Sequence, residues 1–279
     1  MHKLEPKKRI PYILGGTLVI FGLLSLLSWG LKKATTAFEE NKPGVVRYPQ
    51  VESAKWVASA ESVCIQVQQS YTGAEGHSEP IAEVLQAILE RIGVKAIIGE
   101  DKTCAAVLSI ELTVTPIRES VSGAGYCYLA ASAEGKAELS SRGHKTLTLA
   151  LSKPPPNRSG FGIQMVSSCP KTPDKAPIKS TWVTAVAPVL NWWGAPALVS
   201  AMQSDISELR WKASNQFETL GKAGEEAIPV LTEMLADANP QLHALAANAL
   251  GSFGEAASSA VPAMLSAYQD ASSGDRYTY

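Results

Sequence analysis

Histidine and cysteine are scarce in this chain, four of each among 279 residues. His2, His77, His144 and His243 fall in four separate segments, and Cys64, Cys104, Cys127 and Cys169 show no Cys-x-x-Cys or companion His spacing. A metal site is therefore not expected. Also missing are G-x-S-x-G, H-E-x-x-H and kinase-type residue sets, and no serine has an acid or base partner pattern beside it. The stretch Thr72-Gly73-Ala74-Glu75-Gly76-His77 precedes a helix start, yet it lacks the Lys-Ser/Thr of a phosphate loop and any G-x-G-x-x-G frame. No catalytic residue and no cofactor are expected, and a binding module is favoured over an enzyme.

A basic excess is absent too. Residues 1–204 carry 21 Lys/Arg against 16 Asp/Glu, but 205–279 carry 4 against 10, a net of −6 over that stretch. Phosphate backbones are bound through clustered Lys/Arg, so nucleic acid is not an expected partner of the acidic end.

One long apolar run is present. Ile10–Leu31 holds 22 residues without a charge, bracketed by Lys7-Lys8-Arg9 and Lys32-Lys33. At about 1.5 Å per residue it is just long enough to cross about 30 Å of hydrocarbon. Tyr12 and Trp29 stand near its ends, where amphipathic rings favour the headgroup level. It reads as a single transmembrane helix behind a short tail, residues 1–9. A cleaved signal is the alternative, with Lys33-Ala34-Thr35-Thr36-Ala37 as the place to cut, although the run exceeds the usual apolar length of such signals. The basic tail favours a cytoplasmic N-terminus with the bulk of the chain outside the cytoplasm, in the periplasm or at the cell surface. The cysteines point the same way, since four in one region suit two disulfides of an oxidising compartment. Three connectivities are open, and four buried thiols of a cytoplasmic domain remain the competing reading.

Residues 32–57 form a polar tether containing Pro43, Gly44 and Pro49. An α+β domain over 58–178 follows. Val63, Ile65 and Val67 alternate in a strand over 62–70; Ile81, Val84, Leu85, Ile88, Leu89 and Ile92 make one helical stripe, with Ser78 placed to cap it; 94–98 is a short strand. Leu108–Val114, Cys127–Ala133 and Leu147–Leu151 alternate apolar and polar, which predicts an antiparallel meander with one wet face, covered on the other by the 80–92 helix. Residues 162–169 are a possible edge strand beyond Pro154-Pro155-Pro156.

Residues 179–270 repeat. Pro196, Pro229 and Pro262 are 33 residues apart, and 205–237 laid on 238–270 is identical at Leu209/Leu242, Ala213/Ala246, Asn215/Asn248, Gly221/Gly254, Ala223/Ala256, Ala227/Ala260, Pro229/Pro262 and Asp237/Asp270. The stretch LADANPQLHALAANALGSFGEAASSAVPAML resembles the short HEAT-like repeats of phycobilisome-lyase-like proteins. The resemblance implies A helices near 206–219 and 239–251 and B helices near 226–236 and 259–269. It also implies a lone B helix over Gly194–Gln203 behind a degenerate partner at 182–193. It further implies a concave B-helix face where partners lie, exposing Val199/Ser200/Gln203, Thr232/Glu233/Ala236 and Leu265/Ser266/Gln269. The family's usual Arg is kept at Arg210 and replaced at His243.

The expected fold class is thus α+β: a transmembrane helix, a two-layer antiparallel sheet with a covering helix, and α-α HEAT-like repeats, ending in a loose tail over 271–279. Trp182, Trp192, Trp193 and Trp211 are expected to cluster where the two folded parts meet. Candidate binding residues are Trp192, Trp193, Arg210, Trp211, Glu226 and Glu233. The function expected is a membrane-anchored protein-binding or assembly scaffold. The alternatives are an accessory factor for chromophore or cofactor attachment, which the resemblance suggests, and an envelope lipid binder using 136–179, where eight Lys/Arg outnumber the acids.

Overall fold

The computed structural model describes residues 55–73, 78–120, 127–153, 164–166, 175–237 and 239–270. The Ile10–Leu31 run, the proline-rich stretch, Cys169 and the C-terminal tail lie outside them, and of Cys127 only the backbone is described. Among the described residues no helix is long and apolar enough to cross a membrane.

After one helical turn, α1 (Lys55–Ala58), the chain enters β1 (Ser62–Tyr71), crosses over through α2 (Ile81–Arg91) and returns as β2 (Lys95–Ile98). Then come β3 (Ala106–Ser120), β4 (Cys127–Ser141), β5 (Leu147–Lys153) and the short β6 (Gln164–Val166). The sheet order is β2-β1-β3-β4-β5, with β6 beside the start of β4. The meander β3-β4-β5 is antiparallel, as alternation predicts. β1, however, runs parallel to both β2 and β3, so the sheet is mixed, which corrects the all-antiparallel expectation. Val63 and Ile65 of β1 join the core beneath the roof, and Cys64 between them is buried on the other face, where it is bonded to Cys104.

The three meander strands also run past their expected ends. β4 continues through Glu134-Gly135-Lys136 to Ser141, paired with β3 along all 15 of its residues. Gly135 permits this, because a Cβ there would lie 2.0 Å from the Glu111 carbonyl oxygen on β3. At such a close approach glycine extends the strand instead of ending it.

One face of the sheet is wet and the other is roofed by two helices. Ile81, Leu85, Ile88 and Leu89 of α2 are buried over the β1–β2 half. Each such side chain contributes about 1.5–3 kcal/mol on burial. Ser78 makes no cap. The Gln69 side chain instead brackets residue 79, Nε2 donating to the Glu79 carbonyl at 2.7 Å and Oε1 accepting from the Glu79 N–H at 2.9 Å. The Tyr71 hydroxyl donates to the same Oε1 at 2.8 Å, and burial holds that phenol well above its ordinary pKa.

The other half of the roof is α3 (Lys175–Val186), which packs on β3, β4 and β5. The expected boundary at 178/179 therefore falls inside a helix, and buried residues run in one cluster from Val57 to Ala267. A 3-10 segment, Ala187–Trp193, follows with every side chain buried, then α4 (Gly194–Met202).

The 33-residue step is a structural period. α5 (Ser207–Leu220), a 3-10 turn (Gly221–Ala227) and α6 (Ile228–Met234) are followed by α7 (Pro240–Gly251), a second 3-10 turn (Gly254–Ala260) and α8 (Val261–Asp270), and each element begins 33 residues after its counterpart. Gly221 and Gly254 open the turns at φ 51° and 54°, a conformation that favours glycine. Pro229 and Pro262 sit in the first turns of α6 and α8, where a missing N–H costs nothing.

Candidate functional site

The two repeats stack through Asn215 and Asn248, which are equivalent, and through Ser214, Phe217 and Phe253. Asn248 Nδ2 donates to Ser214 Oγ at 3.1 Å and Asn215 Oδ1 at 3.3 Å, and the Phe217 and Phe253 rings meet edge to face at 5.7 Å. Arg210 belongs to this seam, donating to the Ser204 carbonyl at 2.8 Å and to Gln241 Oε1 at 2.6 Å. Its counterpart His243 bonds the Asp237 carbonyl, the counterpart of the Ser204 carbonyl. The histidine thus keeps the contact within the repeat.

The tryptophans separate. Trp182, Trp192 and Trp193 are buried where α3 and the 3-10 segment meet the sheet and repeats, with Trp192 and Trp193 edge to face at 6.4 Å. Beside them Asn191 donates to Gln216 at 2.8 Å, both side chains buried. Trp211 does not join this cluster: it is 55% exposed, with Lys212 Nζ 4.8 Å from its ring centroid. Trp192 and Trp193 are accordingly core residues, and Trp211 and Arg210 lie on α5, outside the groove described next.

That groove, of about 560 Å³, opens where the end of α2 faces α4 and the start of α6. Ala195, Pro196, Val199, Ala227 and Val230 give it an apolar lining, and Arg91 and Glu226 supply its charges. Ser200 is turned inward, corrected from the exposed column expected: its Oγ donates to the Ile88 carbonyl at 3.2 Å, and Arg91 Nη1 donates to the Ser200 carbonyl at 3.2 Å. These two bonds dock the first repeat helix on α2. A smaller depression of about 240 Å³ continues past Arg91 toward Glu83, Asp205 and Ile206.

Of the residues singled out in the sequence, Glu226, Val199 and Gln203 meet in the groove, while Glu233 is exposed on α6 away from its lining. Arg91 and Val230 are the groove residues that sequence reasoning missed. Arg91 carried a weak signal, a base in the last turn of a helix directly before Ile92, the half-buried end of its stripe.

A second electrostatic feature lies where β5 meets α3. Lys153 Nζ donates to the Ala131 carbonyl at 3.0 Å and to Thr181 Oγ1 at 2.9 Å. Burial, reinforced by the nearby Lys212 ammonium, lowers its pKa to about 8. Burial lowers Lys212 as well. Cys64 and Cys104 form a disulfide that ties β1 to the loop before β3. Among the described residues no group of His, Cys, Asp and Glu is arranged to hold a metal ion.

No family model matches the chain, and no curated protein matches it either. Among solved structures it is similar to a minor lipoprotein from Acinetobacter baumannii, with 18% identity over 34% of this chain and 66% of that one, at a TM-score of 0.20. It is also similar to a putative neuraminyllactose-binding hemagglutinin homolog from Helicobacter pylori, with 12% identity over 64% of this chain and 97% of that one, at a TM-score of 0.28. Likenesses at these values assign neither fold nor function, and the chain stands on its own geometry.

Proposed function

We propose that the chain is a membrane-anchored protein-binding or assembly module, held by the Ile10–Leu31 helix and presenting its α+β layer and HEAT-like repeats outside the cytoplasm. The observation that carries the binding reading is the groove between α2, α4 and α6, apolar along its lining and charged at Arg91 and Glu226. Small apolar residues in a preformed depression take up a partner's side chains at little ordering cost. The Cys64–Cys104 disulfide supports the oxidising compartment. The uncharged 22-residue run supports the anchor.

Affinity capture of the intact chain from solubilised membranes tests this reading, with a Glu226→Arg/Glu233→Arg double variant as comparison. A protein retained by the wild type and lost from the double variant is the expected result. Equal capture by both excludes the surface bearing Glu226 and Glu233 as the binding surface.

A further inference from the structure

The two edges of the sheet are treated differently. β2, at one edge, has only four residues, and Gln86 of α2 donates to its Ala96 carbonyl at 2.8 Å, occupying an edge group from outside. β5, at the other edge, has seven residues and, among the described residues, pairs only with β4. β6 does not cover it, since β6 lies against residues 127–129 of β4 and β5 against 133–139. No described residue hydrogen-bonds the outer side of β5. Natural edge strands are blunted by brevity, proline, bulges or projecting charge, and β5 has none of these devices among Leu147–Ser152. Its terminal Lys153 turns its ammonium back onto Ala131 and Thr181 of its own chain.

We propose that the outer edge of β5 pairs antiparallel with β5 of a second copy of this chain, about a two-fold axis at Ala150. The sequence of the strand is self-complementary in that register. Ala150 faces Ala150 of the second copy, Leu149 faces Leu151 on the roofed side, and Thr148 faces Ser152 on the wet side. Leu149 and Leu151 are buried beneath the roof, so the core face continues across the axis, and hydroxyl pairs such as Thr–Ser stabilise neighbouring strands. Charge agrees with the pairing. The exposed residues of β5 are Thr148, Ala150 and Ser152, and their β4 neighbours are Glu138, Lys136 and Glu134. The two Glu-Lys-Glu rows are therefore held three strand spacings apart, about 14 Å, beyond the screening length of about 8 Å at physiological salt. No like charges meet at the seam, and two sheets become one.

The test uses the full chain. Ala150→Cys should give a covalent dimer on mild oxidation in membranes, whereas Glu111→Cys, on the wet face of β3, should not. In detergent the wild type should sediment as a dimer. Ala150→Lys and Ala150→Glu should each sediment as monomers, and co-expressed they should recover a mixed dimer, which a merely misfolded variant would not do. A monomeric wild type with no Ala150→Cys cross-link overturns the proposal, whether the edge is free or covered by a foreign strand or by this chain's own residues. So does a dimer that persists in Ala150→Lys.

Discussion

Asn248 and Asn215 stand 33 residues apart in sequence and hydrogen-bond each other, the Nδ2 of one 3.3 Å from the Oδ1 of the other. The residue that marks the repeat is thus also the residue that joins successive repeats. Ser214 Oγ shares the contact at 3.1 Å. Replacing Asn248 by Ala removes both bonds at a half-wet seam and should lower stability by about 1 kcal/mol. Urea unfolding checks this, and an unchanged midpoint would show that the Asn248 bonds add nothing to the Phe217–Phe253 packing and the Arg210–Gln241 bond.

Gly135 and Gly251 should respond to alanine with opposite signs. A Cβ on Gly135 meets the Glu111 carbonyl at 2.0 Å, so Gly135→Ala must push β3 and β4 apart, at a cost of about 1–3 kcal/mol or more. Gly251 ends α7 with nothing within 4 Å of its would-be Cβ, so Gly251→Ala should stabilise by about 0.4–1 kcal/mol. Paired thermal melts of the two variants measure the contrast.

The reach of the sequence can be judged from such positions. The helical period, the turn glycines and the α2 stripe were readable because each repeats a local rule: a proline in a first turn, a left-handed glycine, apolar residues at helical spacing. Gly135 was not readable, because a glycine inside a long strand looks like a turn until its cross-strand neighbour is known. The parallel placement of β1 was not readable, because the choice of neighbouring strand is a long-range matter. Trp211 was misplaced for the same reason: a helix shows which residues share a face, not which face the rest of the chain covers. Of the groove, Val199 and Gln203 were visible from repeat columns, and Glu226 was named only as a candidate binding residue. Arg91 was hidden because it arrives from a helix more than 100 residues earlier in the chain.

Lys153 gives the fold a specific pH dependence. Its folded pKa, about 8, lies below the 10.5 of a free lysine. Between those values the unfolded chain binds more protons than the folded one, so this group raises stability as pH rises through that window. Below about 8 both states are protonated and the full penalty for the buried ammonium is present. Lys153→Met should therefore raise the melting temperature at pH 7 and flatten its rise between pH 8 and 10.5. A variant with the wild-type profile would place the titration elsewhere.

The disulfide closes a 40-residue separation, and removing it with Cys64→Ala/Cys104→Ala should cost about 2–4 kcal/mol. With Cys64 and Cys104 joined, the one pair left for a second bond is Cys127 with Cys169. Peptide mapping without reduction should recover both links, and alkylated Cys127 or Cys169 would leave the chain with a single disulfide.

Protein binding at the groove is tested most directly by a photo-crosslinking amino acid placed at Val230 in the intact chain, with the same amino acid at Glu111 on the sheet's wet face as control. A discrete adduct from Val230, absent from Glu111 and diminished by Glu226→Arg, is the result the binding reading predicts; adducts from neither position, or equal adducts from both, would contradict it.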